Sequence, residues 1–319
     1  MKKTIIGIIL HIFFAGALIF LVIDGPGYNA ARSIRTGWDL GHAVLFILFT
    51  YILYRDWKKF RDKALILQWV LVLSFTALLA VATEGIQYYA GRQFDLFDIL
   101  RDLSGSVIGM LLLGKVDLGG KKAGSLTRVL LIIILAGVTT RSFFLSIADE
   151  YIATRQFPVL ANFETPFEIG RWRADGEISI SSNISRSADS SLKIEFTKKL
   201  FSPVTMNYSL GNWEGYDTLK FSFCNPDTAD LKVVCRVHDK EHIKHGNAYS
   251  DRFNRSFILK EGWNTFAVPV SDLQNAPSTR EMNLNRIEEI SFFSISLPAP
   301  RTAYLDDLLL MKRTNSGEN

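Results

Sequence analysis

Five long apolar stretches in the first half of the chain constrain its fold more than any other feature. They lie at residues 5–23, 40–54, 64–83, 97–113 and 126–147. A helix needs about 20 apolar residues to cross the hydrocarbon core of a bilayer. We therefore predict a domain of five transmembrane helices over residues 1–149. The second and fourth stretches are the weakest candidates, because each has polar residues at one end.

The charge distribution orients these helices. Residues 1–149 contain 16 Lys/Arg against 10 Asp/Glu, and the basic residues concentrate before the first stretch, between the second and third, and between the fourth and fifth. Positively charged loops stay in the cytoplasm, which predicts a cytoplasmic N-terminus and an extracytoplasmic domain over residues 150–319. The net charge of +4 is too small and too scattered to predict a nucleic-acid binder.

Polar residues gather at the predicted outer ends of the second, third and fourth helices. On the fourth helix Asp98, Asp102, Gly105 and Gly109 follow a single stripe. Charged side chains at membrane depth are costly and normally face the bundle interior, and small residues let a neighbouring helix approach closely. The pattern therefore predicts a polar pocket that opens outward.

The pocket has several possible roles. Histidine and carboxylates can act as acid–base groups or metal ligands, and Arg92 with Gln87 could hold a headgroup. An interhelical ion-pair network that only fixes the bundle remains an alternative. No nucleophile motif and no phosphate-binding loop accompany these residues, so catalysis stays open. The candidate acid–base residues are His42, Glu84, Asp98 and Asp102.

The first half resembles the VanZ-like family of bacterial membrane proteins. The resemblance covers about residues 1–115 and is carried by Asp39-x-x-His42, Glu84-x-x-Gln87, Arg92, Asp98 and Gly105-x-x-x-Gly109. It implies a multi-pass protein of the bacterial inner membrane and cell envelope, with no agreed reaction. Leu40-Gly41 and Asp102 stand where the family usually has Lys and Asn, and a second carboxylate would alter the chemistry of the pocket.

The second half changes to short segments in which apolar and polar residues alternate. Examples are residues 192–196, 219–223, 231–237, 265–270 and 290–295. Alternation of this kind is typical of half-buried strands. About eight such strands without a helical run predict an antiparallel β-sandwich.

This half is also similar to galactose-binding-like jelly-roll modules, the fold of many carbohydrate-binding domains. The resemblance covers about residues 157–312 and rests on Asn162-Phe163-Glu164, Asn212-Trp213, Asp251-Arg252-Phe253, Gly262-Trp263-Asn264 and Leu305-Asp306-Asp307. It implies a structural calcium ion held by Glu164 with Asp306 or Asp307, and a glycan as partner. Exposed acids at strand ends are the alternative.

Aromatic and loop residues supply further candidates for binding. Tryptophan and tyrosine serve either as core or as stacking platforms for sugars, and we favour core for Trp213 and Trp263. Residues 238–252 include three histidines, and we expect a solvated loop there that contributes hydrogen bonds to a ligand. The ligand-binding candidates of this half are Trp172, Tyr216, Tyr249, Asp251 and Arg252.

Cys224 and Cys235 are the only cysteines. We place them on the two strands of a hairpin, pointing to opposite faces of one sheet, and predict no disulfide.

These features together predict an envelope protein whose outer sandwich binds a glycan and whose helical bundle presents a pocket for a lipid headgroup or a lipid-linked partner. A membrane-embedded enzyme and a structural or protein-interaction anchor are the alternatives. The residue pattern leaves the substrate and the oligomeric state open, and it does not separate sugar binding from protein binding.

Overall fold

The structure is a computed structural model that describes residues 2–22, 25–26, 30–89, 94–114, 123–206 and 211–312. The chain divides into two compact units, Met1–Leu145 and Ser146–Asn319. The division falls close to the boundary at residues 149/150 that the sequence predicts.

The first unit is helical. Each of the five apolar stretches overlaps a long helix in the described residues, and a short helix follows the second. The helices are α1 (Lys2–Val22), α2 (Arg32–Asp56), α3 (Lys58–Arg61), α4 (Leu65–Tyr89), α5 (Leu96–Leu113) and α6 (Ala123–Gln156). Asp95 caps α5, because its side chain accepts a hydrogen bond from the backbone N–H of Phe97.

Three of these helices are long and apolar enough to cross a membrane: Arg32–Asp56, Leu65–Tyr89 and Gly124–Gln156. Many of their apolar side chains are exposed, such as Leu126 at 72% and Val138 at 70%. The predicted count of five spans is therefore not confirmed in the described residues. The apolar part of α1 is shorter, at Gly7–Ile19, and α5 carries Asp98, Arg101 and Asp102 in its first two turns.

Helices α2 and α5 pack closely through the predicted glycine stripe. A Cβ atom at Gly105 would overlap the carbonyl oxygen of Ala43, and one at Gly109 would lie 2.7 Å from Cβ of Thr50. A hydroxyl–hydroxyl hydrogen bond of 2.6 Å joins Thr76 on α4 to Ser106 on α5. The small residues therefore fix the distance between two helix backbones.

The second unit is an antiparallel β-sandwich, as the sequence predicts. Its strands are β1 (Val159–Ala161), β2 (Trp172–Ala174), β3 (Ile178–Ser181), β4 (Ser191–Phe196), β5 (Phe201–Met206), β6 (Thr218–Asn225), β7 (Leu231–Asp239), β8 (Phe253–Leu259), β9 (Gly262–Pro269), β10 (Ile287–Ile295) and β11 (Arg301–Met311). A short helix, α7 (Val270–Gln274), follows β9. One sheet has the order β3-β4-β11-β6-β9, with β1 also paired to β11, and the other has the order β2-β5-β10-β7-β8.

The core lies between the two sheets and consists of the apolar residues at alternate strand positions. Phe221 and Phe223 on β6 pack edge-on against Phe292 on β10, with ring centroids 4.9 and 5.0 Å apart. Trp213 is fully buried, as expected. Each large apolar side chain removed from water in this way contributes about 1.5–3 kcal/mol, so the alternation holds the sheets together.

The last turns of α6 belong to this second unit. The Asp149 carboxylate accepts hydrogen bonds of 3.0 Å from Nε and 2.8 Å from Nη2 of Arg171, and both residues are 2% exposed. Nη1 of Arg171 donates to the carbonyl oxygen of Leu160 at 2.9 Å. A buried two-point ion pair with these additional hydrogen bonds fixes the helix end to the start of the sandwich.

The two cysteines are free and buried. The predicted hairpin is wrong, because β6 and β7 lie in different sheets. Cys235 faces the core and is fully buried, whereas Cys224 is 6% exposed. The alternation of residues along each strand was read correctly, but alternation does not show when the chain crosses from one sheet to the other.

Candidate functional site

The helical unit brings three of its four predicted acid–base residues into contact. Nδ1 of His42 lies 3.0 Å from Oδ1 of Asp102, and Nε2 lies 3.5 Å from Oδ2 of Asp98. All three residues are at most 3% exposed. The imidazole therefore lies between two carboxylates that the α5 stripe presents to α2, at the place where Gly105 allows the two helices to approach.

A cation that the sequence analysis did not single out completes this cluster. Arg101 forms an ion pair with Asp98 and lies 3.7 Å from Asp39 and 3.9 Å from Asp95. The prediction gave the role of the cation to Arg92, which lies outside the described residues. Arg101 follows Asp98 by one helical turn, and that i, i+3 spacing was the available signal.

Glu84 lies beside this cluster. It is 1% exposed, and its Oε2 accepts a hydrogen bond of 2.8 Å from the backbone N–H of Asp95. Its Oε1 is buried and has no hydrogen-bond partner within the described part of the chain. Gln87, one turn further along α4, is also buried at 1%. We name His42, Glu84, Asp98, Arg101 and Asp102 the membrane cluster.

Metal binding by the membrane cluster stays a prediction without a matching geometry. Across the described ranges, no group of three or more His, Cys, Asp or Glu side chains is arranged to hold a metal ion. The contacts of His42 are instead those of an imidazole that can take up or release a proton between two carboxylates.

The predicted calcium ligands of the sandwich each fix a backbone segment. Oε1 of Glu164 accepts hydrogen bonds from the backbone N–H groups of Asp189 and Ser190, at 3.1 and 3.0 Å. Oδ2 of Asp306 accepts from the N–H groups of Arg186 and Ser187, at 2.8 and 3.1 Å. These carboxylates hold the loop that connects β3 to β4.

This arrangement does not fit a calcium ion. Asp306 is fully buried, and its second oxygen, Oδ1, accepts a hydrogen bond of 2.7 Å from the N–H of Asp307. Oδ1 of Asp307 in turn accepts from the Ser187 hydroxyl at 2.5 Å. Calcium needs six to eight oxygen ligands, whereas the groups that surround Asp306 are N–H donors. Burial raises the pKa of Asp306.

Two of the predicted ligand-binding aromatics lie in or against the core. Trp172 is 5% exposed and packs on Phe163, with ring centroids 5.8 Å apart. Tyr216 is half-buried and contacts Phe157 at 5.4 Å. The Trp172 ring therefore serves to bury apolar surface, whereas the Tyr216 ring stays partly exposed, with Nζ of Lys312 5.3 Å from its centroid.

The loop of residues 240–252 has exposed residues at 243–250, as expected of a solvated loop, and an ion-pair cluster with buried carboxylates holds its ends. The Arg280 guanidinium donates to Asp251 through Nε and Nη2, both at 2.7 Å, and to Asp239 through Nη1 and Nη2, at 2.6 and 2.8 Å. His242 is 2% exposed, and its Nδ1 lies 3.1 Å from Oδ2 of Asp251. We name Arg280, Asp239 and Asp251 the arginine clamp.

Asp251 is therefore not available to a ligand. It is 4% exposed, and its two oxygens are occupied by Arg280 and His242. The hydrogen bonds from Arg280 lower the pKa of Asp251 to about 2. Burial alone would raise the pKa of Asp239, but the hydrogen bonds from Arg280 and from the N–H of Asn283 hold it below its usual range. Both carboxylates are ionised at neutral pH.

The clamp positions the other two loop candidates beside the solvent-facing side of the five-stranded sheet. Arg252 immediately precedes β8, and its guanidinium carbon lies 5.4 Å from the centroid of the Tyr249 ring. Tyr249 is 72% exposed. A cation over an aromatic ring is a favourable contact, and it holds both side chains at one edge of the sheet.

The register of the five-stranded sheet places a continuous row of polar residues across its outer side. The row contains one residue from each of β2, β5, β10, β7 and β8: Arg173, Thr205, Ser291, Arg236 and Asn254. Neighbours in an antiparallel register lie close enough for their side chains to interact. The hydroxyl oxygens of Thr205 and Ser291 lie 2.8 Å apart.

Charged groups flank this row toward the loop. Glu289 pairs with Arg236, and Nε2 of His238 lies 3.5 Å from Oε1 of Glu289. The rings of His238 and His242 are 4.6 Å apart. We name the row together with His238, Glu289 and Arg252 the polar face.

Three buried polar atoms of the polar face have no hydrogen-bond partner within the described residues: Nε of Arg236, Nε of Arg252 and Oδ1 of Asn254. Buried polar atoms are paired in the great majority of cases, because an unpaired one costs about 1–3 kcal/mol. Their concentration on one face of one sheet identifies this face as a candidate site.

The electrostatics of the polar face are dominated by guanidinium groups. Burial alone would raise the pKa of Glu289, but the hydrogen bond from His238 and the positive charge of Arg236 lower it to about 2. Burial lowers the pKa of Arg252, and the positive charge of Arg236 acts in the same direction. Two like charges therefore lie within range of each other, with one ionised carboxylate on the face between them.

Most of the polar face was missed at the level of sequence. Of its residues only Arg252 was singled out, with Tyr249 beside it. Arg236 and Asn254 occupy polar positions of alternating strands, and such positions look the same whether they face bulk water or a ligand. The register that aligns them comes from pairing between distant strands.

The fold is that of an antiparallel β-sandwich in a chain with apolar helices, and the candidate sites are the polar face and the membrane cluster. No protein-family profile matches the chain, so the resemblance to VanZ-like proteins is not supported by that comparison. No curated protein matches it either.

Solved structures resemble about half of the chain. The family 11 carbohydrate-binding module from Clostridium thermocellum, in complex with a β-1,3-1,4-mixed-linked tetrasaccharide, is 13% identical over 48% of this chain and 94% of that chain, with a TM-score of 0.37. The family 30 carbohydrate-binding module of a cellulosomal cellulase from the same organism is 10% identical over 46% and 93%, with a TM-score of 0.34. An exo-β-agarase is 13% identical over 50% and 26%, with a TM-score of 0.38. Similarity at this level carries no argument about a ligand.

Proposed function

We propose that this protein is a membrane-anchored glycan-binding protein whose sandwich holds a saccharide on the polar face. The observation that carries the proposal is the set of buried, unpartnered polar atoms on Arg236, Arg252 and Asn254. A ligand rich in hydroxyl groups supplies both donors and acceptors, so it can satisfy the guanidinium N–H groups and the amide oxygen together.

The dimensions and composition of the polar face support a saccharide. Five strands spaced about 4.8 Å apart give a platform about 19 Å wide. Hydroxyl, amide and guanidinium groups alternate along the row. The exposed ring of Tyr249 stands at one edge and the 54% exposed ring of Phe201 belongs to β5 of the same sheet. Aromatic rings offer flat apolar surfaces to the C–H faces of sugars.

The membrane anchor and its orientation form the second part of the proposal. Three helices are long and apolar enough to span a membrane, and we propose that α1 and α5 also cross it. The basic loops then lie in the cytoplasm. We propose that the N-terminus lies in the cytoplasm of a bacterium and that the sandwich lies outside the inner membrane, where it meets glycans of the cell envelope.

The proposal is tested with the full chain in lipid nanodiscs and a panel of neutral and acidic polysaccharides. We expect binding to at least one polymer, and we expect Asn254→Ala to weaken it about tenfold, because about 1–1.5 kcal/mol of hydrogen bonding is lost. Asn183→Ala, the same change in an exposed loop, should leave the affinity unchanged. A folded protein that binds no polymer of the panel would contradict the proposal and favour a protein partner.

A second function is favoured by the membrane cluster. Carboxylates outnumber cations there, and Oε1 of Glu84 is buried without a partner in the described residues. We propose a VanZ-like role in which the cluster holds the polar headgroup of a lipid or a lipid-linked envelope component. Mass spectrometry of lipids that co-purify with the protein tests it. Glu84→Gln should remove a lipid that the wild type retains, and identical lipid profiles would contradict the role.

A further inference from the structure

The polar face carries an excess of positive charge. Its side chains include three arginines, Arg173, Arg236 and Arg252, against one carboxylate with a lowered pKa, Glu289. Glu288 lies next to Glu289 at an irregularity of β10, and burial raises its pKa.

Arg252 differs from three other arginines of the sandwich, each of which pairs with a carboxylate. Arg255 pairs with Asp272 at 2.6 Å, Arg301 with Asp227 at 2.7 Å, and Arg280 with both carboxylates of the clamp. Among the described residues Arg252 has no carboxylate within ion-pair distance. Its guanidinium contacts the Tyr249 ring, and its Nε is buried without a partner.

Arg236 is only partly compensated. One of its terminal nitrogens, Nη2, donates to Glu289, whereas its Nε is buried without a partner. The guanidinium carbon also lies 6.0 Å from the centroid of the Phe293 ring. The Nε edge of a guanidinium presents two parallel N–H groups that match the two oxygens of a carboxylate.

We infer that the saccharide bound on the polar face is acidic, and that Arg252 and Arg236 hold the carboxylate of a uronic acid. This inference rests on the proposed glycan binding and names the class of sugar. The hydroxyl groups of the same saccharide then reach the amide of Asn254. A planar carboxylate is favoured over a tetrahedral anion by the flat guanidinium edge.

The test uses one polymer in forms that differ only in charge. The full chain in nanodiscs is titrated with polygalacturonate, with its fully methyl-esterified form, and with its carboxyl-reduced neutral form. We expect the acid form to bind at least about tenfold more tightly than either neutral form, because a charge-assisted hydrogen bond is about twice as strong as a neutral one. A sulfated neutral polysaccharide serves as a further probe.

Variants locate the binding group. Arg252→Gln should weaken binding of polygalacturonate about tenfold or more and weaken binding of the esterified polymer by a smaller factor, because only the acid form loses a charge-assisted hydrogen bond. Arg252→Lys keeps the positive charge but loses the paired N–H groups of the guanidinium. Its affinity for polygalacturonate should therefore lie between those of Arg252→Gln and the wild type. Arg255→Gln is the matched control, because it removes the same charge three residues further along the chain at a residue already paired with Asp272.

The possible outcomes distinguish failure of this inference from failure of the proposed glycan binding. Equal affinity for the charged and neutral forms overturns the acidic ligand but leaves glycan binding in place. Tighter binding of the sulfated polymer than of polygalacturonate overturns the inference that the bound anionic group is a carboxylate. An unchanged affinity in a folded Arg252→Gln protein overturns the assigned residue. Failure of every polymer to bind the wild type overturns glycan binding itself.

Discussion

The helical unit and the sandwich both bury charged side chains, but they compensate them differently. In the helical unit His42, Asp98 and Arg101 compensate one another across two helices. In the sandwich the arginine clamp is equally complete, with every oxygen of Asp239 and Asp251 occupied. The polar face and Glu84 of the membrane cluster are the exceptions, because some of their buried atoms have no partner in the described residues.

This difference distinguishes charged groups that stabilise the fold through internal partners from groups that we propose bind a ligand. Removing one member of a compensated cluster leaves a buried charge without its partner, and the cost appears as lost stability. Removing a group that has no internal partner costs the free protein little, and the loss appears in binding instead. Variants of the two kinds should therefore separate stability from affinity.

The largest effect is expected at the arginine clamp. Arg280→Leu leaves the carboxylates of Asp239 and Asp251 buried without their cation, which should cost about 3–5 kcal/mol of the free energy of unfolding. Hydrogen–deuterium exchange of β7 and β8 in the full chain measures this cost. Arg255→Leu removes an exposed arginine paired with Asp272 and should cost less than about 1 kcal/mol. Similar effects of the two variants would contradict a buried clamp.

The clamp also predicts a pH dependence. The pKa of Asp251 is lowered to about 2 in the folded protein, so its ion pair stabilises the sandwich fully above the unfolded pKa of about 3.9. That contribution is lost as the pH falls toward 2. Slowed exchange in β7 and β8 should therefore persist down to about pH 4 and be lost below it. Arg280→Leu should remove most of this acid dependence.

A smaller effect is expected in the membrane cluster. His42→Ala removes the imidazole between Asp98 and Asp102, and we expect a loss of about 2–3 kcal/mol in the free energy of unfolding. Glu84→Gln should change it by less than about 1 kcal/mol, because an amide oxygen can still accept from the N–H of Asp95. Unfolding in mixed micelles measures both. A cost for Glu84→Gln as large as that for His42→Ala would show that Glu84 is part of the compensated network.

The two units also differ in how much of them could be predicted from the sequence. A charged residue inside an apolar stretch stands out, so His42, Asp98 and Asp102 could be found before their contacts were known. The sandwich was predicted from alternation, which depends on burial alone. Alternation gives no signal for the polar face, because Asn254 occupies a position that would be polar in any exposed strand.

Partners that are distant in the chain account for the remaining errors. Asp251 was predicted to bind a ligand, but Arg280, 29 residues away, occupies it. The cysteine strands were assigned to one hairpin, although the chain changes sheets between them. The carboxylate of Asp306, for which calcium binding is predicted, accepts hydrogen bonds from backbone N–H groups 119 and 120 residues away. No local pattern contains these pairings.

The smallest expected effect concerns the helix contact that brings the membrane cluster together. Gly105→Ala places a methyl group against the carbonyl oxygen of Ala43, so α2 and α5 must move apart, at a cost of about 1–3 kcal/mol. Gly137→Ala is the matched control, because no atom lies within 4 Å of a Cβ built there. Alanine at that position should be neutral or stabilising by up to about 1 kcal/mol.

Unfolding in mixed micelles measures the difference in stability between Gly105→Ala and Gly137→Ala. A double variant then tests whether the glycine contact depends on the contact between His42 and Asp102. Separation of the helices lengthens the 3.0 Å contact between these side chains, so Gly105→Ala combined with His42→Ala should cost less than the sum of the two single changes. Additive costs would show that the glycine contact and the charged cluster are independent. The helical unit would then compensate its charges without needing the close approach of its backbones.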